Sequence, residues 1–219
     1  MPELGRAALV VCLGLALYAL LVGGYAAATR KRRLARSAQN ALFAALASTV
    51  VATIVLLAAL LRHDFSFAYV AEHTSRRLPT PYTISAFWGG QEGSLLLWLL
   101  VLCGYSVAAV LTARRAGREV LAWVVPTLGL VGTFFALVLV FVASPFATQA
   151  APADGAGLNP SLQNPYMMIH PPLGSSPRGA GRSSPGRRSE SDSCWARTGR
   201  TSRWGGAATT PGIRSRTRR

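Results

Sequence analysis

Four uncharged apolar blocks dictate what this chain can fold into. Ala7 to Ala28, Ala41 to Leu61, Ser94 to Ala113 and Val120 to Val142 contain no Asp, Glu, Lys or Arg. Each reaches the roughly 20 residues a helix needs to cross a hydrocarbon core about 30 Å thick. A soluble helix of that length keeps a polar face toward water, and these blocks show no such rhythm. In lipid the whole circumference can be apolar, because every backbone group is satisfied inside the helix. The expected architecture is an all-α, polytopic membrane protein with four transmembrane helices in residues 1–142. Composition agrees, since 51% hydrophobic and 14% charged is too apolar for a soluble protein of 219 residues.

The basic clusters orient the spans. A secretory signal places its positive charge before the apolar stretch. Here Arg30, Lys31, Arg32, Arg33 and Arg36 follow the first stretch, which anchors a span with its C-terminal end in the cytoplasm. Arg114, Arg115 and Arg118 fall on the same side if there are four crossings. The N-terminus, the loop 62–93 and everything after Phe141 then face outward, into the periplasm of a bacterium. The expected location is the bacterial inner membrane.

The formal charge of +15 has the size of a nucleic-acid footprint, but its distribution argues otherwise. Residues 174–219 hold eleven arginines against Glu190 and Asp192, and most of the remainder sits in the two cytoplasmic clusters. Topology explains those clusters, so no nucleic-acid partner is expected. Cys12, Cys103 and Cys194 lie far apart and make no CxxC pair. Cys12 and Cys103 fall inside spans, where a small buried thiol is the expected role.

The two outer segments carry the chemistry. Residues 62–93 read RHDFSFAYVAEHTSRRLPTPYTISAFWGGQEG. Aromatic and small residues alternate from Asp64 to Val70, Pro79 and Pro81 bracket a turn, and Trp88, Gly89, Gly90, Gln91, Glu92 and Gly93 lead into the third span. Taken singly, Trp88 and Tyr82 suit interfacial anchors, and Glu92 suits the positive end of a helix dipole. Together, the density of aromatics, glycines and charges exceeds what anchoring needs. The second segment, 143–173, is rich in Pro, Ala and Gly and ends in NPSLQNPYMMIHPPL. Pro165, Pro171 and Pro172 stiffen the chain around His170. A histidine on such a stretch, beside Tyr166, Met167 and Met168, suits an axial haem ligand or an ordinary loop position. His63 and His73 have weaker contexts and are read as ordinary.

FSFAYVAEHTSRRLPTPYTISAFWGGQEGSLLLW, followed after two spans by NPSLQNPYMMIHPPL, resembles the N-terminal third of the CcmF type of cytochrome c biogenesis protein. That family supplies the haem lyase subunit of the bacterial system I pathway. The opening PELGRAAL fits it too, so the resemblance covers about residues 2–173. Gln91 stands where many members have histidine, which removes one possible ligand. The resemblance implies haem handling at the periplasmic face, with haem taken from a periplasmic haem chaperone and attached to apocytochrome c. It implies small system I membrane subunits as partners. It also implies that His170 is the first of two periplasmic histidines flanking a tryptophan-rich haem platform. Trp88, Gly89, Gly90 and Glu92 then belong to a periplasmic motif of unassigned role.

The platform itself is missing after Leu173. Residues 174–219 have no hydrophobic periodicity and read as a disordered basic tail. A shifted reading frame accounts for it. Ala208 to Thr217, written GCT ACT ACG CCT GGG ATC CGG TCG AGA ACG, becomes YYAWDPVEN when read from the third base. Arg203 to Ala208 permits LGWGG, and Trp195 to Thr201 permits GAHWAY. These joined readings resemble the family's haem-platform motif, at shorter spacing. The expectation is a frame-disrupting deletion near Leu173 to Pro177, leaving residues from about Arg178 onward out of frame and the product truncated and inactive alone. Whether such a chain acts as an enzyme is left open.

Two other classes compete. A small four-helix transporter or channel subunit is the main alternative, but the apolar blocks hold no acidic residue or histidine, whereas ion pathways place ionisable groups inside the membrane. A structural membrane protein with a lipid-binding or nucleic-acid-binding tail is the other.

Overall fold

The computed structural model describes residues 1–116 and 118–163. His170, the end of the second outer segment and the basic tail 174–219 lie outside the described residues. Six α-helices run in the order α1 (Pro2–Thr29), α2 (Arg32–Leu61), α3 (Ala68–His73), α4 (Thr80–Ser85), α5 (Gln91–Ala116) and α6 (Arg118–Phe141). Single 3-10 turns cover Ala86–Trp88 and Pro160–Leu162. No strand occurs among the described residues; the one antiparallel bridge joins Phe67 to Thr148.

α1, α2, α5 and α6 are each long and apolar enough to span a membrane. They alternate in direction and pack as a ring in which α1 touches α2 and α6, while α5 touches α2 and α6. All four neighbouring pairs are antiparallel, the up-down-up-down arrangement that short connections favour. The first connection is Arg30 and Lys31 alone, with Arg30 left-handed at φ 55° and Lys31 extended. α2 therefore begins at Arg32, well before its apolar block, and carries Arg33 and Arg36 on its first turns.

Residue size, not polarity, sorts the faces of α1. Its buried residues are Gly5, Ala8, Leu9, Cys12, Ala16, Ala19, Gly23 and Ala26. They recur every three or four positions, and all but two are glycine or alanine. Most of its large apolar residues, Val10, Leu17, Leu21 and Tyr25 among them, are exposed. Lipid tails are as apolar as leucine, so small residues that let helices approach decide which face turns inward. The closest approach is at α6. A Cβ on Gly129 would stand 2.6 Å from the backbone nitrogen of Leu20 and 3.0 Å from the carbonyl oxygen of Ala16. Only glycine fits there.

The ends of α1, α2, α5 and α6 opposite the Arg30–Lys31 connection meet under a cap made from residues 62–90 and 143–163. The second segment is mostly exposed from Ala147 to Pro160, but it is tied to the first by backbone hydrogen bonds. Ala68 N–H donates to Ala147 O at 2.9 Å, Gln149 N–H to Ser66 O at 2.9 Å and Ala156 N–H to Ala71 O at 2.7 Å. Phe146 and Leu158 are buried in the same core as Phe65, Phe67 and Val70. The alternating stretch after Asp64 forms a turn and the start of α3. Asp64 Oδ1 accepts from the Ser66 N–H and hydroxyl, forming a turn that leads into α3.

Candidate functional site

The tryptophan-glycine motif sits in the cap at the head of α5, and Tyr69 of α3 holds it in shape. The Tyr69 hydroxyl donates to the Ala86 carbonyl at 2.8 Å, lies 3.1 Å from the Phe87 carbonyl and accepts the Gly90 N–H at 3.1 Å. Tyr69 is buried, and that burial pushes its phenol above the ordinary tyrosine value. The group therefore stays protonated and keeps its donor. Ser94 closes the other side of the turn, its hydroxyl donating to the Trp88 carbonyl at 2.9 Å.

His73, one helical turn after Tyr69, completes the cluster. The two rings stack with centroids 4.3 Å apart and 21° between planes. His73 Nδ1 lies 2.9 Å from the Tyr69 carbonyl oxygen, which can only accept, so Nδ1 carries the proton. In the neutral ring Nε2 is then the acceptor. A Cβ on Gly90 would collide with that Nε2 and come within 2.9 Å of the Tyr69 ring. Glycine at 90 is thus what admits the histidine. Glu92 stands in the first turn of α5, where a carboxylate meets the positive end of the helix dipole. Trp88 and Tyr82 are partly buried against the core.

Of the residues singled out in the sequence, Trp88, Gly89, Gly90 and Glu92 come together here, while His170 lies outside the described residues. Tyr69 and His73 carry the motif's geometry; sequence reasoning passed over Tyr69 and read His73 as ordinary. The signal was their spacing of four inside a helix, which puts both on one face. His63 also departs from the ordinary. It follows α2 at φ 51°, and its buried Nε2 has no hydrogen-bond partner among the described residues.

At the far side of the cap Asp154 ties the two outer segments. Its carboxylate accepts the Arg76 N–H at 3.0 Å and the Gly155 N–H at 2.8 Å. These backbone bonds lower its pKa below the ordinary aspartate value.

The comparisons with known proteins match this same region. A cytochrome c-type biogenesis protein CcmF of Escherichia coli K12 is 34% identical over 175 residues, covering 79% of this chain and 27% of the relative. The CcmF of Pseudomonas aeruginosa is 41% identical over 177 residues, covering 78% of this chain and 26% of its own length. A solved cytochrome c haem lyase CcmF superposes with a TM-score of 0.66 at 30% identity, covering 80% of this chain and 27% of that one. The chain is a CcmF-type segment. It spans about a quarter of the length of the curated relatives it matches. No family model matches. With four helices apolar enough to cross and relatives of this kind, it is a multi-pass membrane protein.

The described residues do not by themselves fit a haem. His73 Nε2 is packed against Gly90, and His63 Nε2 is buried. Neither imidazole offers the iron an open axial approach.

Proposed function

We propose that this chain serves cytochrome c maturation, as the part of a haem lyase that anchors haem handling at the periplasmic face of the bacterial inner membrane. The observation that carries the reading is the match of 80% of this chain to a solved haem lyase at 30% identity and a TM-score of 0.66. Apocytochrome c, a periplasmic haem chaperone and small system I subunits are the partners this reading assigns. The cap faces the periplasm, because Arg30 to Arg36 lie at the opposite end of the bundle and basic clusters stay in the cytoplasm. A transporter is not favoured, since the apolar blocks contain no acidic residue or histidine to carry an ion.

The direct test is a chimera in which residues 2–163 replace the matching stretch of the E. coli protein. It should still mature c-type cytochromes, and a correctly inserted chimera with no holocytochrome would sink the reading. Reporter fusions at Arg33 and Gly155 should give cytoplasmic and periplasmic activity respectively. The reverse pattern overturns the orientation.

His170 is the haem-iron position in this reading, with imidazole as the axial ligand. The described residues add no second ligand, so the purified chain should bind haem weakly or not at all. A stoichiometric haem spectrum that disappears in His170→Ala would show the opposite. Residues from about Arg178 are out of frame in the same reading, which requires AGA or AGG at Arg216. A CGN codon there ends that part of it.

A further inference from the structure

At the cap end of the bundle a groove runs between the start of α1 and the last turns of α2, away from the Tyr69 cluster. Its cavity of about 230 Å³ is walled by Leu4, Ile54, Val55 and Ala58, and Arg62 and Asp64 also line it. Leu4 and Ile54 are more than half exposed, so the groove opens sideways from the bundle, where the bilayer lies. A guest enters from lipid and does not have to cross the packed core. The volume falls below the roughly 300–1,000 Å³ of a small-molecule site, which suits a narrow chain better than a bulky ring system.

The end of α2 sets two charges beside this groove. His63 is left-handed at φ 51°, its N–H donates to Leu60 O at 3.1 Å, and Asp64 N–H donates to Ala59 O at 3.0 Å. This pair of bonds is the left-handed helix stop that folds the chain back over its last turn. It returns Asp64 to the same groove as Arg62. Asp64 Oδ1 accepts the Ser66 N–H and hydroxyl, which fixes the carboxylate. Among the described residues, Arg62 and Asp64 do not form an ion pair with each other.

A guanidinium and a carboxylate on one apolar groove select a headgroup that carries both complementary charges. A phospholipid phosphate suits the guanidinium. A primary ammonium two carbons away brings three N–H donors to the carboxylate. A trimethylammonium headgroup has no N–H to donate, and a glycerol headgroup has no positive charge to bring.

We propose that this groove binds one phosphatidylethanolamine molecule, with its phosphate on Arg62, its ammonium on Asp64 and one acyl chain laid between α1 and α2. The lipid fills the seam between the two helices at the edge of the cap. The site requires only that the chain spans a bilayer, so it stands apart from the haem reading.

The test uses the full chain in phosphatidylcholine nanodiscs doped with phosphatidylethanolamine that carries a diazirine in one acyl chain. Matched probes carry choline or glycerol headgroups on the same chains. After illumination, the label from the ethanolamine probe should concentrate on Ile54 to Ala58, several-fold above that from the other two. Arg62→Gln should lower it about tenfold, the size of one charge-assisted hydrogen bond. Asp64→Asn keeps an acceptor for Ser66 and should bring the ethanolamine probe down to the choline level. Ala58→Phe, at a partly exposed position, should fill the groove and remove the label from Val55. Equal labelling by the ethanolamine and choline probes overturns the proposal, as does an ethanolamine preference that survives Asp64→Asn. Stronger labelling by the glycerol probe overturns it too, because the groove would then select anionic lipid.

Discussion

Where α1 crosses α6, Gly129 lets two backbones touch, whereas in the cap the Tyr69 hydroxyl spans the gap between α3 and the turn before α5. The first contact needs the absence of a side chain. The second needs one particular side-chain atom with three polar neighbours. In the bundle the backbone groups are satisfied within their own helices, apart from the turn that Pro126 interrupts in α6, so packing decides most of the arrangement. The cap is made of short helices and turns whose backbone groups must find partners elsewhere. Asp64, Tyr69, Ser94 and Asp154 supply them. A bundle of this kind tolerates change at lipid-facing positions and little at its small-residue seam. The cap should tolerate changes of shape better than loss of a donor.

The largest effect should come from Gly129→Leu. The new side chain meets the backbone of Leu20 and Ala16, which cannot move aside without parting α1 from α6. A cost of about 3 kcal/mol or more is expected from such overpacking. Thermal unfolding in detergent should show it as a lower midpoint for the bundle. A midpoint equal to wild type would mean that the two helices are not held at this distance.

Tyr69→Phe probes the other side of the comparison. It keeps the ring and its stack on His73 but leaves the Gly90 N–H and the Ala86 carbonyl without their partner. The loss should be about 1–3 kcal/mol, confined to the cap. Hydrogen exchange should speed up at Gly89 to Ser94 and stay unchanged around Leu56 and Leu99. Uniform loosening of all four spans would show that cap and bundle unfold as one unit.

Gly90→Ala should have a smaller effect of about 1 kcal/mol, because His73 is half-buried and can swing toward solvent while the Tyr69 ring edge, 2.9 Å from the new Cβ, needs only a small shift. The signature is the His73 ring resonance, which should lose the upfield shift that stacking on Tyr69 gives it. An unchanged resonance would mean that the histidine never occupied the space over residue 90.

The spans were legible because hydropathy alone carries them: four apolar blocks became α1, α2, α5 and α6. Their inward faces were not, since the seam from Gly5 to Ala26 is written in side-chain size and a polarity scale treats alanine and leucine alike. In the cap, Trp88 to Gly93 drew notice by composition. Tyr69 did not and His73 was read as ordinary, because a tyrosine and a histidine four residues apart gain meaning only when the turn they hold folds back over them. The pairing of 143–163 with 62–93 was also invisible. It rests on backbone bonds such as Ala156 to Ala71, which any sequence can make and none announces.

The smallest effect should come from Asp154, and its sign follows from the direction of its pKa shift. The carboxylate is favoured in the folded cap by the Arg76 and Gly155 N–H groups, so its folded pKa lies below the unfolded aspartate value of about 3.9. A depressed pKa contributes stability that is fully present above the unfolded value and lost as pH falls through the folded one. The two segments of the cap should therefore hold together unchanged from neutral pH down to about 4, and loosen only below that. The group is fully exposed, so solvent screens the gain and the change should be slight. Limited proteolysis by pepsin near Gly155 can measure it. Asp154→Asn keeps an acceptor oxygen but cannot titrate, so its cleavage rate should lack that acid step. If wild type and variant show the same pH profile, the link between Arg76 and residue 154 contributes nothing to closing the cap.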